Sequence, residues 1–212
     1  MDGLLQLSVS DLTCERDGRC LFENLAFTLC SGDVLQVSGP NGVGKTTLLR
    51  IVAGLSLDFH GQVDWCGSPV DEDKPGFHSH LLYMGHQPGV KATMSPEENL
   101  RWAMGLHYSI TVQEIYQALE KVGLRGYEDV PCYRLSAGQN RRVALARLHL
   151  KNKQKLWILD EPFTAIDLQG TAELEQLMVD HAKDGGLVMM TTHHEMNLDY
   201  SGFRKLALEP SV

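Results

Sequence analysis

The residues with the clearest chemistry are Gly39-Pro40-Asn41-Gly42-Val43-Gly44-Lys45-Thr46-Thr47, which fit the pattern G-x-x-x-x-G-K-[ST]. Glycines allow a tight loop whose amides point inward at an anion. Lys45 can then reach the terminal phosphates of a nucleotide, and the Thr46 hydroxyl can bind Mg²⁺. Further along, Leu156-Trp157-Ile158-Leu159 runs directly into Asp160-Glu161. A carboxylate at the end of a buried strand suits a cation beside phosphate, so Asp160 joins Thr46 as a candidate metal ligand. Its neighbour Glu161 is then free to orient and polarise an attacking water. Together these residues spell the hydrolysis of a nucleoside triphosphate, with Lys45 and Glu161 as catalytic candidates.

Such groups need elements that bring them to one place. Val34–Ser38, Leu81–Met84, Leu156–Leu159 and Leu187–Met190 are short and almost continuously apolar, the pattern of parallel strands covered on both faces. Each is followed at once by polar residues: Gly39 to Thr47, His86-Gln87, Asp160-Glu161 and His193-His194. A parallel sheet binds its ligand outside the carboxyl ends of its strands, so the four clusters converge there. Helical stretches at 45–55, 136–150 and 171–182 separate most of these strands. In the last, Leu174, Leu177, Met178 and His181 share one face, which assigns His181 to packing. Leu5–Val9 and Gln62–Trp65 lie among turn residues and predict an antiparallel sheet beside the parallel core. Residues from about 92 to 150 read as a mostly helical insert. The fold class is therefore α/β, in one domain spanning 1–212, with a mainly parallel core sheet, an antiparallel β subdomain and a helical subdomain insert.

Leu135-Ser136-Ala137-Gly138-Gln139 opens one of the helices. Ser136 stands at the N-cap and Gln139 at the third helical position, the two partners of a capping box. A glycine in the first turn lets an anion approach the amides, so this helix can also face a phosphate.

With these residues assembled, the chain resembles the ABC ATPase family over almost its whole length: GPNGVGKTT, Gln87, LSAGQ, LWILDEP, TAID and TTHH occur in that family's order and spacing. The fold this implies is a P-loop NTPase of ABC type. The resemblance makes Gln87 the glutamine that contacts nucleotide and metal, and Ser136, Ala137, Gly138 and Gln139 the signature. It also makes Asp160 and Glu161 the paired acids, Asp167 a nucleotide-contacting aspartate and His193 the switch histidine, a third catalytic candidate. ATP and Mg²⁺ are the implied cofactors.

Two copies are implied to clamp two ATP molecules head to tail, each site taking its phosphate loop from one chain and its LSAGQ from the other. Residues 82–91, 136–147 and 157–167 are similar to the ATP-binding subunits of the haem exporters of bacterial cytochrome c maturation. That implies separate integral membrane subunits as partners and a peripheral position on the cytoplasmic face of the inner membrane. It also implies hydrolysis that powers haem delivery to, or release of, a periplasmic haem chaperone, with haem not bound by this chain. Two positions depart from the family. Ala137 stands where most members have glycine, and Cys14-Glu15-Arg16-Asp17 offers no aromatic platform for the adenine.

Composition narrows the class further. A net charge of −8, with 27 acidic against 19 basic residues, opposes binding to nucleic acid. The 5 cysteines form no C-x-x-C pair and read as reduced thiols. The opening residues lack a secretory pattern, and no apolar run approaches the roughly 18 residues of a membrane span. Three other readings compete. One is an ABC motor for another substrate. A second is a non-transport ABC ATPase acting on DNA or ribosomes, which the single phosphate loop and acidic balance disfavour. The third is a haem-binding module built on Cys66, His78, His80 and His86, whose charged neighbours Asp71, Glu72, Asp73 and Lys74 suit solvated loops instead.

Overall fold

The computed structural model describes residues 5–105, 110–150, 154–194, 196 and 198–209. Residues 106–109 of the expected helical insert lie outside them. Chain contacts define two compact units, one of Met1–Tyr83, Gln154–Pro162 and Glu173–Val212 and one of Met84–Lys153 and Phe163–Ala172.

The first unit holds both sheets. The strands β1 (Gln6–Arg16), β2 (Arg19–Cys30), β4 (His60–Trp65) and β5 (Ser68–Pro69) form an antiparallel sheet in the order β2-β1-β4-β5. The other strands, β3 (Val34–Ser38), β6 (Leu81–Met84), β7 (Leu156–Asp160), β8 (Leu187–Thr191) and β9 (Phe203–Ala207), form a second sheet in the order β6-β7-β8-β3-β9. Within it β3, β7, β8 and β9 run parallel. β7 and β8 are buried at every residue, as continuous apolar runs require. Leu48, Leu49 and Ile51 of α1 (Lys45–Val52) join Leu35, Val37, Ile158 and Met189 of the sheet in one core. The N-terminal strand pieces and Gln62–Trp65 pair antiparallel, as their turn-rich surroundings predict.

Four details differ from the sequence pattern. α1 stops at Val52 because Gly54 turns left-handed at φ 69°. Lys74–His80, among the turn residues that follow Gln62–Trp65, forms helix α2, with proline in its first turn and an Asp73 cap on the Gly76 amide. The helix expected to run to residue 150 is α5 (Ala137–Ala146) followed by a 3-10 turn at Arg147–His149. β9, with mixed exposure, has no counterpart among the apolar runs.

The second unit carries α3 (Pro96–Gly105), α4 (Val112–Lys121) and α5 around its own core, including Leu100, Ile115, Leu119, Leu124 and Val143. Thr111 closes a complete capping box with Glu114 at the start of α4. The remaining helix, α6 (Leu168–Lys183), places Leu174, Met178, Val179 and Ala182 inward, and His181 stacks on Trp157 with ring centroids 3.7 Å apart. Its Nε2 lies 3.0 Å from the Lys155 carbonyl, and burial pushes its pKa down to about 4. His181 is thus the packed, neutral histidine that its face predicts.

Candidate active site

The end of β3 turns directly into the phosphate loop, and the glycines there answer to specific crowding. A Cβ on Gly39, at φ 144°, would lie 2.5 Å from the Leu208 carbonyl oxygen. One on Gly44, the N-cap of α1 at φ 106°, would press on Leu21 and the Phe22 ring at 3.1–3.2 Å. Gly42, at φ 80°, meets nothing within 4 Å, so there it is the left-handed backbone and not crowding that favours glycine. Pro40, Asn41 and Val43 complete the turn, with Val43 buried beneath it. Lys45 is only 9% exposed, and its Nζ donates to the carbonyls of Gly39 at 2.7 Å and Pro40 at 3.1 Å. Its charge is therefore held at the loop that it would serve.

Asp160 ends β7 and is 1% exposed. One carboxylate oxygen, Oδ2, accepts from the Thr46 hydroxyl at 2.9 Å, and the other, Oδ1, from the Thr191 hydroxyl at 2.6 Å. Sequence spacing brings Thr46 and Asp160 together, and the structure places them in direct contact. Glu161 stands at φ 51°, a left-handed conformation uncommon outside glycine. Its amide donates to the Thr191 carbonyl at 3.1 Å and the Thr191 hydroxyl at 3.0 Å. The Glu161 carboxylate accepts from the His193 amide at 3.2 Å and lies 3.6 Å from the His193 ring nitrogen. His194 turns to a different partner, Glu175, at 3.1 Å. Of the two adjacent histidines, His193 is the one at the acid.

The donor set suits a small hard cation. Thr46 and Asp160 supply neutral and anionic oxygen on adjoining elements, and no group of three His, Cys, Asp or Glu side chains among the described residues is placed to hold a metal alone. A cation here would complete its shell with phosphate oxygens and water, the habit of Mg²⁺. Beside Thr46 and Thr47 opens a cavity of about 570 Å³, lined by Cys14, Glu15, Arg16, Arg50, Ser56 and Asp58 as well. Its described lining contains no aromatic side chain, in keeping with the sequence. Arg16 is exposed, 3.8 Å from Asp17.

The other predicted residues lie in the second unit. Ser136 and Gln139 form both halves of their capping box: the Ser136 hydroxyl accepts the Gln139 amide at 3.2 Å, and the Ser136 amide donates to the Gln139 side chain at 2.8 Å. Between them, Ala137 is the first residue of α5. A Cβ on Gly138 would make only an ordinary 3.6 Å contact with the Ala165 carbonyl, so the chain's own packing does not require glycine there. Asp167 caps the start of α6 by accepting the Gly170 amide at 2.8 Å. Gln87 is exposed, and the carbonyls just before it, Gly85 and His86, accept from buried Arg141 of α5 at 3.2 and 3.3 Å.

Two groups of residues that sequence reasoning left without roles emerge here. Thr191 opens the TTHH motif and closes an apolar run, but neither observation gives it a partner. Arg141 lies among surface-like polar residues, as does Asn99 of α3, whose buried side chain accepts the Lys91 amide at 2.7 Å. Of the residues suggestive of haem ligation, His78 is engaged by the Ala53 carbonyl at 3.0 Å.

The phosphate loop, the paired acids and the parallel sheet define a nucleoside triphosphatase of the ABC class. Residues 22–164 match the family model described as ABC transporter, and the chain belongs to that family. It is 53% identical over 204 residues to the "Cytochrome c biogenesis ATP-binding export protein CcmA" of Pseudomonas putida, covering 96% of this chain and 97% of that one. The protein of the same name from Yersinia pseudotuberculosis is 49% identical, with 95% and 92% covered. Among solved structures, a putative ABC transporter ATP-binding protein from Pyrococcus furiosus superposes with a TM-score of 0.80 at 27% identity, covering 96% and 97% of the two chains. The dimeric bacterial ABC transporter cassette MJ0796 shares the fold, with a TM-score of 0.77 at 22% identity and coverage of 89% and 88%.

Proposed function

We propose that this chain is the ATP-hydrolysing subunit of an export complex serving cytochrome c biogenesis, the haem exporter complex, and that it drives delivery of haem to, or release of, a periplasmic haem chaperone. The observation that carries the enzymatic half is the contact of Thr46, Asp160, Glu161 and His193 beside the phosphate loop. The biological half rests on the high identity to the CcmA proteins along nearly the whole chain.

In this reading the loop amides and Lys45 hold the β- and γ-phosphates, and the α1 N-terminus adds positive potential. Lys45 exchanges its loop carbonyls for phosphate oxygens, a stronger charge-assisted pairing. Thr46 and Asp160 would hold Mg²⁺, with Gln87 as a further ligand. A cation held there would supply positive charge to the phosphoryl oxygens. Glu161 orients the attacking water and accepts its proton as the oxygen bonds to the γ-phosphorus and the bond to the ADP oxygen breaks. His193 steadies the Glu161 carboxylate through its amide and turns its ring toward the same space.

The Ser136–Gln139 helix start and Asp167 serve the nucleotide of a second copy. Their support is the glycine at 138 that internal packing does not require, which leaves the first-turn amides approachable. Among the described residues no helix is long and apolar enough to cross a membrane, so transport needs integral membrane subunits from separate chains. The chain then sits peripherally at the cytoplasmic face of the inner membrane.

The test uses the chain in its own host. Deleting its gene should abolish haem-staining c-type cytochromes, the wild-type gene should restore them, and Lys45→Ala should not. Affinity purification from membranes should recover the membrane subunits. Unchanged cytochrome c in the deletion strain would move the motor to another cargo.

A further inference from the structure

Thr191 is the last residue of β8 and is fully buried behind Leu187, Val188, Met189 and Met190, all apolar. Parallel pairing of β7 with β8 sets it directly beside Asp160. Its hydroxyl has one proton, which goes to Asp160 Oδ1 at 2.6 Å, and its lone pairs accept the Glu161 amide at 3.0 Å. One buried oxygen thus touches the side chain of the first acid and the backbone of the second.

We propose that Thr191 is a positioning residue for ATP hydrolysis, its hydroxyl committing Asp160 Oδ1 so that Oδ2 alone faces Thr46 and the cation, while it braces Glu161 over the attacking water. The proposal rests on the roles given above to Asp160 and Glu161. Without the hydroxyl, Asp160 loses the donor that distinguishes its two oxygens, and the orientation of its carboxylate about the last side-chain torsion is set less firmly. Glu161 fares differently, because its amide keeps a second acceptor in the Thr191 carbonyl at 3.1 Å. The left-handed backbone at Glu161 should therefore survive removal of the hydroxyl, and the defect should appear mainly in the metal.

The chemistry of this position separates that role from simple packing. Valine has nearly the shape of threonine and belongs in a buried strand, so Thr191→Val removes hydrogen bonding while retaining bulk. Thr191→Ser does the opposite.

The full-length chain carrying Thr191→Val should bind ATP in EDTA within about twofold of wild type. It should bind Mn²⁺ about tenfold more weakly in the presence of a non-hydrolysable ATP analogue, read by electron paramagnetic resonance, and need correspondingly more Mg²⁺ for half-maximal turnover. Thr191→Ser should restore Mn²⁺ affinity to within about threefold. Wild-type Mn²⁺ affinity in Thr191→Val, or equal losses in both variants, would overturn the proposal. Thermal melting checks folding; if Thr191→Val does not fold, the smaller Thr191→Ala carries the same comparison. Asp160→Asn and Glu161→Gln, measured alongside, test the underlying reading: turnover retained in both would sink that reading, whereas their loss beside a wild-type Thr191→Val would sink only the role of Thr191.

Discussion

Two regions of the molecule hold their chemistry in opposite ways. At the carboxyl edge of the parallel sheet, Thr46, Asp160 and Thr191 are joined by side-chain hydrogen bonds between residues distant in sequence, and Asp160 and Thr191 are nearly or fully buried. In the second unit, the segment after Gln87 is tied to α3 chiefly at its buried Asn99 side chain, with Ser95 and Glu98 bonding reciprocally beside it. Asn99 accepts the Lys91 amide at 2.7 Å and donates toward the carbonyls of Lys91, Met94 and Ser95 at 3.1, 3.3 and 3.0 Å. Around that buried clamp the surface stays open: the Lys91 ammonium lies 3.6 Å over the exposed ring of Trp102, and Tyr133, whose amide donates to the Ala92 carbonyl, is 62% exposed. The first region fixes reacting groups against motion. The second fixes a backbone while leaving aromatic and cationic side chains free for contact, the composition of interaction hot spots.

The largest effect should break the first region alone. Glu161→Gln should keep ATP binding and lower hydrolysis by at least about a hundredfold, trapping an ATP-bound dimer on size-exclusion chromatography. Near wild-type phosphate release would remove Glu161 from the chemistry. The opposite dissociation is expected from changing Val90, Lys91 and Met94 together to alanine. Basal hydrolysis by the isolated chain should stay within about twofold, because a coupling surface acts through the partner, while c-type cytochromes disappear in cells. Normal maturation would place the coupling surface elsewhere.

Asn99→Ala sharpens the comparison structurally. Loss of a buried amide with several partners should cost about 2–4 kcal/mol and speed hydrogen exchange of residues 91–95, with exchange in β7 and β8 unaffected. Unaltered protection at 91–95 would deny Asn99 its role.

Acid should weaken the first unit through His181. Its folded pKa of about 4 lies below the usual histidine value, so the unfolded chain binds the proton first as pH falls. That contribution is complete above about pH 6.5 and is lost progressively toward pH 4, the loss amounting to about 2 kcal/mol at pH 5. Denaturation at pH 7.5 and pH 5 should show this difference shrinking in His181→Phe; an identical pH dependence would assign it to other groups. The smallest discrimination is expected at the base. With no aromatic in the described lining of the cavity beside Thr47, GTP should compete with ATP, and a preference above about a hundredfold, roughly 2.7 kcal/mol, would show that another group reads the base.

This contrast also explains what the sequence disclosed. Phosphate chemistry demands particular residue types at fixed spacing, and strands buried on both faces must be apolar throughout, so Gly39–Thr47, Asp160-Glu161 and β3, β7 and β8 were legible. The capping box at Ser136 and Gln139 was equally plain, being local. Asn99 was not legible, because a buried asparagine in Pro96-Glu97-Glu98-Asn99 looks like part of an exposed acidic turn. β9 escaped notice since Arg204 and Lys205 interrupt any apolar run, and α2 because Pro75 and Gly76 imitate a loop until Asp73 is seen capping them. Thr191 lay in plain view, but only the parallel register reveals that it meets both acids.

The crowding at Gly39 carries a consequence for the order of events in the cell. The carbonyl that limits its side chain belongs to Leu208, whose amide in turn donates to Ser38 at 2.8 Å, and Ser38 also donates its hydroxyl to Leu206, 168 residues away. The wall against which the phosphate loop rests is therefore made from residues synthesised long after the loop itself, Leu206 following Ser38 by 168 positions. A ribosome adds about 5–20 residues each second, so the glycine loop emerges many seconds before its support. During that interval β3 lacks its β9 neighbour and the loop has no backing on that side. Firm nucleotide binding is therefore expected only once β9 has emerged and paired with β3.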